Sequence, residues 1–94
     1  MRDCNADVDI DFEDNGAITF RIDAGDCEDS EGDFDFEGEI ENVKGEKRTI
    51  RKSETWTRTG DKSTVKVEYD FHLYDDEKLN EVTLISVNCR CYSE

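Results

Sequence analysis

Asp33-Phe34-Asp35-Phe36-Glu37-Gly38-Glu39-Ile40-Glu41 places a carboxylate at every second position, and Asp7-Val8-Asp9-Ile10-Asp11-Phe12-Glu13 does the same earlier in the chain. Successive side chains of a β-strand leave on opposite faces, so a period of two is the signature of a half-buried strand. In both stretches Val8, Ile10, Phe12, Phe34, Phe36 and Ile40 are assigned inward. Asp7, Asp9, Asp11, Glu13, Asp33, Asp35, Glu37, Glu39 and Glu41 are assigned outward. Each of these two strands is therefore expected to carry an unbroken acidic face.

Working outward from these stretches, residues 6–13, 17–24, 33–43, 47–59, 63–74 and 81–92 read as six strands rich in β-branched and aromatic residues, and no segment reads as a helix. Between the first two strands, a three-residue Asp14-Asn15-Gly16 loop with Gly in the left-handed position sets Phe12 opposite Ile18, Ile10 opposite Phe20 and Val8 opposite Ile22. A two-residue turn would oppose Ile10 to Arg21, so the hydrophobic pattern selects the longer loop. A loop centred on Gly45 is expected to oppose Ile40 to Ile50 and Phe34 to Trp56. A Gly60-Asp61 turn is then expected to oppose Trp56 to Val65 and Ile50 to Phe71. In the last strand the apolar phase shifts from Val82 and Leu84 to Ile85, Val87, Cys89 and Cys91, which predicts a β-bulge near Leu84. The fold class that follows is all-β: a six-stranded antiparallel meander forming a small β-sandwich or barrel. Lys52 and Glu54 break the pattern of the fourth strand. They mark it either as an edge protected by inward charge or as a semi-polar groove floored by Trp56.

At 94 residues the chain reads as a single domain over 1–94, with one core that staples would help to stabilise. No segment reads as a transmembrane helix or signal peptide. The net charge of −14 is uneven: residues 1–43 hold 16 acids and 2 bases, whereas residues 44–66 hold 8 bases and 3 acids. The overall field is expected to repel nucleic acids and anionic membranes, so the expected partners are cationic: basic proteins, metal ions, or nothing specific.

The predicted strands bring Cys4, Cys27, Cys89 and Cys91 to one pole. Cys89 and Cys91 stand too close along one strand to bond each other, so two bridges from Cys4 and Cys27 to that pair are sensible, with the connectivity open. A zinc site and free thiols are the rivals. The spacing lacks the C-x2-C knuckles that identify structural zinc.

No catalytic constellation, metal site or cofactor motif emerges. His72 is the only histidine and falls on an outer face. No Ser or Cys has a base at motif spacing, and no glycine-rich phosphate loop follows a strand. An EF-hand start at Asp11 fails because Ile22 occupies the twelfth position. The acidic Gly-rich segment 23–33 is the better place for a calcium ion, against the plainer reading of a solvated loop. The basic fourth strand, with Lys47, Arg48, Arg51, Lys52 and Arg58 around Trp56, reads either as neutralising the acidic sheets or as an anion site.

Alternate carboxylates on a strand stand about 6.6 to 7 Å apart, close to the interval of about 7 Å between phosphates along one nucleic-acid strand. In surface chemistry alone, without a shared motif, this resembles small acidic proteins that block DNA-processing or RNA-guided enzymes, including anti-restriction and anti-CRISPR proteins. The leading expectation is a non-enzymatic inhibitor or binding protein whose nine carboxylates occupy a basic surface on a nucleic-acid-binding enzyme or a toxin. The alternative is an extracytoplasmic, disulfide-stapled β-sandwich module, calcium-assisted at the 23–33 loop. The first implies the cytoplasm and the second an oxidising compartment. A two-row imitation of a nucleic acid further requires the two acidic strands to be neighbours.

Overall fold

A computed structural model describes residues 2–25, 27–60 and 64–92. Its strands are β1 (Arg2–Asp3), β2 (Asp7–Phe12), β3 (Ala17–Asp23), β4 (Ser30–Asn42), β5 (Lys47–Arg58), β6 (Val65–Asp70) and β7 (Glu77–Cys91). They form two antiparallel sheets, one in the order β1-β7-β4-β5 and the other in the order β2-β3-β6. The all-β antiparallel class is as expected, and there is no helix among the described residues. Strands β2 and β7 approach each other along one side of the sandwich, and β5 and β6 along the other. The molecule is elongated, 53 Å along its principal axis, because β4 and β7 are much longer than any strand of the second sheet.

The two tight hairpins share one device. Glu13 N–H donates to the Ala17 carbonyl and Gly16 N–H to the Glu13 carbonyl; Asn42 N–H donates to the Glu46 carbonyl and Gly45 N–H to the Asn42 carbonyl. Gly16 (φ 101°) and Gly45 (φ 82°) occupy the left-handed position that ends each three-residue loop. The first loop gives β2 and β3 the expected register, Phe12 with Ile18, Ile10 with Phe20 and Val8 with Ile22. The second sets β4 against β5 two residues away from expectation: Gly38, not Ile40, faces Ile50, and Gly32, not Phe34, faces Trp56. A shift of two preserves every face assignment.

The core explains that shift. Phe20, Phe34 and Phe36 are fully buried, and Phe20 contacts both of the others at ring-centroid distances of 4.7 Å. Burial of each ring is worth about 1.5 to 3 kcal/mol. Gly32 and Gly38 take inward positions of β4 that large side chains would overfill. A Cβ on Gly32 would strike the Asn88 carbonyl oxygen and the Trp56 ring, and one on Gly38 would strike the Phe71 ring. The glycines are the sockets in which these two rings lie.

The expected pairing of the fourth and fifth predicted strands is not made. β6 pairs with β3, Phe20 opposite Val67 and Ile18 opposite Tyr69, and the chain after Gly60 passes to the second sheet. Asp61 of the expected turn lies outside the described residues. β7 instead takes the place beside β4. Its register shifts twice, skipping Ile85 and Asn80, so the bulge expected near Leu84 is present and has a companion.

Cys4 bonds Cys89 and Cys27 bonds Cys91, with Cα separations of 5.1 and 5.8 Å. Both expected bridges to the last strand form, and the connectivity is thereby assigned. Ser30 pairs with Cys91, and Gly32 with Cys89, so the disulfides sit at the start of β4. Its other end meets the β4–β5 turn.

Candidate functional site

The sandwich decides how the nine predicted carboxylates are grouped. Asp7, Asp9 and Asp11 lie on the outside of the β2-β3-β6 sheet, with Glu13 exposed at its hairpin end. Asp33, Asp35, Glu37, Glu39 and Glu41 lie on the outside of the other sheet, in line with Glu31, which belongs to β4 and not to the expected 23–33 loop. The core separates the two rows, so they occupy opposite faces and never stand side by side. Two parallel acidic rails are therefore not formed.

The rows also differ chemically. β4 is a central strand, and its carboxylates are half-buried among donors from both neighbours. Asp35 accepts from Ser53 Oγ and from Ser86 Oγ (3.2 Å), and Asp33 from Asn88 Nδ2 (2.8 Å). Glu41 accepts from Asn80 Nδ2 (2.6 Å), and Glu39 pairs with Lys47 Nζ (3.3 Å). Glu31 accepts from Tyr92 OH and lies 3.5 Å from Arg90 Nε. The Glu31 carboxylate raises the Tyr92 phenol above its ordinary value, with burial second, since both favour the protonated, donating phenol. Cross-strand donors of this kind hold the β4 carboxylates in place, with Lys47 and Arg90 offsetting part of their charge.

The β2 row is different because its strand is an edge. Asp7, Asp9 and Asp11 are exposed, and the same face carries exposed Asp23, Glu68 and Asp70 against Arg21 and Lys66. Arg21 pairs with Asp11, and Lys66 lies 3.6 Å from Glu68. Carboxylates 7 Å apart in water repel by about 0.6 kcal/mol per pair, and by more at the lower effective dielectric of a protein surface. Here, among the described residues, two cations meet that repulsion.

The basic strand is an edge, as one of its two readings held. Trp56 is 3% exposed and so floors no open groove. Arg58, 6% exposed, donates through Nη1 to the Gly25 and Cys27 carbonyls, fixing the disulfide pole. Arg48 forms a two-pronged bond to Glu77, Nε to Oε2 and Nη2 to Oε1, both at 2.9 Å. The bond from Arg48 holds the Glu77 carboxyl below its ordinary range, assisted by the Tyr74 N–H, while Glu77 raises the Arg48 guanidinium. A shallow groove remains where Arg48, Ile50 and Lys52 face Tyr69, Phe71 and Leu73. Burial, and next Glu54, raise the Tyr69 phenol there.

The calcium reading loses most of its loop, because Glu31 and Asp33 belong to β4 and Asp26 lies outside the described residues. Among the described residues no three His, Cys, Asp or Glu side chains converge as metal ligands. His72 is exposed. No protein-family model, curated protein or solved structure matches this chain.

Proposed function

We propose that this chain is a non-enzymatic binding protein of the inhibitor or immunity type, which covers a basic surface of a protein partner with the outer face of its β2-β3-β6 sheet. The observation that carries the reading is the exposed row Asp7, Asp9 and Asp11 on an edge strand, whose charge the fold leaves largely unpaired. A cationic partner relieves the standing repulsion, which makes association steep in salt and quick in encounter. The spacing along a single strand matches one row of phosphates, so a nucleic-acid-binding enzyme or a basic toxin is the target of matching chemistry. The β4 carboxylates contribute field rather than contacts.

The test is capture of partners from source or host lysate, with elution by duplex DNA and by high salt, for the native chain and two charge-reversed forms. Asp7→Lys with Asp9→Lys and Asp11→Lys is expected to abolish capture. Asp33→Lys with Asp35→Lys and Glu37→Lys is expected to weaken it far less. Capture that survives the first set and resists salt would overturn the reading. The two disulfides favour a second reading, an extracytoplasmic interaction module working where thiols stay oxidised. Alkylation of natively isolated protein tests it: four labelled thiols on intact-mass analysis would rule the stapled form out.

A further inference from the structure

Each sheet has two end strands, and two of these four, β2 beside β7 and β5 beside β6, are of opposite charge and lie on opposite sides of the sandwich. We propose that they are complementary, and that β2 of one molecule adds to the β5 edge of a second copy in parallel, giving head-to-tail assembly.

The backbone supplies the first argument. Glu13 N–H bonds the Ala17 carbonyl, which sets the ladder so that Asp7, Asp9 and Asp11 turn their peptide groups toward β3. Val8, Ile10 and Phe12 therefore turn theirs to the open edge. In the other hairpin, Asn42 bonds Glu46, so Arg48, Ile50 and Lys52 bond β4 while Lys47, Thr49, Arg51 and Ser53 face outward. Neither outward set has a hydrogen-bond partner among the described residues.

Side chains select the direction. In a parallel pair each edge-facing residue bonds the two residues that flank its opposite number. Ile10 opposite Ile50 bonds Thr49 and Arg51 in that scheme, and the same register sets Asp7 against Lys47, Asp11 against Arg51 and Phe12 against Lys52. Both apolar cores then lie on the same side of the joined sheet, so the two sandwiches continue as one double layer. An antiparallel addition instead places Ile10 beside Thr49 or Arg51 and an acid beside Ile50. Arg51 and Lys52 have no carboxylate partner among the described residues, and Phe12 is 39% exposed. Two copies of β2, or two of β5, repel each other, so of the pairings between these two edges the mixed one is favoured. The contact is heterologous and does not close on itself.

Sedimentation velocity over a concentration series in physiological salt tests this with the chain alone, independently of any foreign partner. Native protein is expected to climb past twice its 10.9 kDa mass as concentration rises. Lys47→Glu with Arg51→Glu, and separately Asp7→Lys with Asp11→Lys, are each expected to stay monomeric. Mixing those two variants offers two compatible junctions, native β2 with native β5 and reversed β2 with reversed β5, so their mixture is expected to climb again as alternating copies. All four changes in one chain restore the climb, which separates charge matching from damage to the fold. A native chain that remains monomeric would overturn the proposal, even if it bound a labelled Asp-Val-Asp-Ile-Asp-Phe peptide, which would assign the edge to a foreign acidic strand. Native assembly that stops at a dimer, or persists in both variants, would overturn it equally.

Discussion

Removing either disulfide is expected to cost nearly the same, although one spans 85 residues and the other 64. Taken alone, loop-closure entropy assigns about 4.5 kcal/mol to Cys4–Cys89 and about 4.3 to Cys27–Cys91. The bridges are not independent, however. With one in place, the shortest path between the other two cysteines runs from Cys4 to Cys27, through the standing bridge, and across the Cys89-Arg90-Cys91 step. That effective loop is about 25 residues whichever bridge is added second, worth about 3.5 kcal/mol. Cys4→Ala with Cys89→Ala, and Cys27→Ala with Cys91→Ala, are each expected to lose that amount. The second pair loses about 1 kcal/mol more because both of its cysteines are buried in native packing. Loss of both bridges reaches about 8 kcal/mol, enough to unfold a small domain of ordinary stability. Equilibrium urea unfolding of the two variants measures the difference directly. A larger loss from opening Cys4–Cys89, or a gap beyond about 2 kcal/mol in either direction, would refute the shared-loop argument.

Gly38→Ala is expected to cost about 1 to 3 kcal/mol by pushing on the Phe71 ring, and Gly32→Ala more, because the Asn88 carbonyl in its way is backbone; thermal unfolding ranks them. Ser30→Ala is expected to leave stability unchanged or raise it, since the Ser30 Oγ is buried without a hydrogen-bond partner. Arg58→Ala is expected to cost about 2 to 4 kcal/mol by stripping donors from the Gly25 and Cys27 carbonyls, again read by urea unfolding. The folded Glu77 carboxyl titrates below its ordinary value of 4.5, so its pairing with Arg48 stabilises fully above that value and is lost as pH falls through the depressed folded pKa. Native protein is therefore expected to lose more stability below pH 4.5 than Glu77→Gln does, as acid-range unfolding curves would show.

Local rules were legible where one loop or one strand decided the outcome. Asp14-Asn15-Gly16 fixed the β2–β3 register, the phase change around Leu84 revealed the bulge, and inward charge marked β5 as an edge. Matching Ile40 to Ile50 failed because the space above Gly38 is filled from the other sheet by Phe71, a contact no pairwise strand argument contains. The start of β7 was missed for a related reason. Glu77-Lys78-Leu79-Asn80 looks polar, yet Leu79 is buried and its N–H donates to the Asp14 carbonyl. Sheet membership was also beyond reach, since a Gly60 turn serves a hairpin or a crossing between sheets equally well. The candidate site was legible as a list of residues but not as a grouping: alternation identifies outward carboxylates, and only the sheet order shows that they look in opposite directions.

The bridges sit where Ser30 and Gly32 meet β7, whereas the far end of the long axis, near Asn42 and Glu77, is clasped by the Arg48–Glu77 pair. Amide exchange should consequently run as a gradient down β4, slowest beside Gly32 and fastest approaching Asn42. Such a molecule opens like a book bound along one short end, its free end sampling loosened states while the bound end keeps the strands in register to close again.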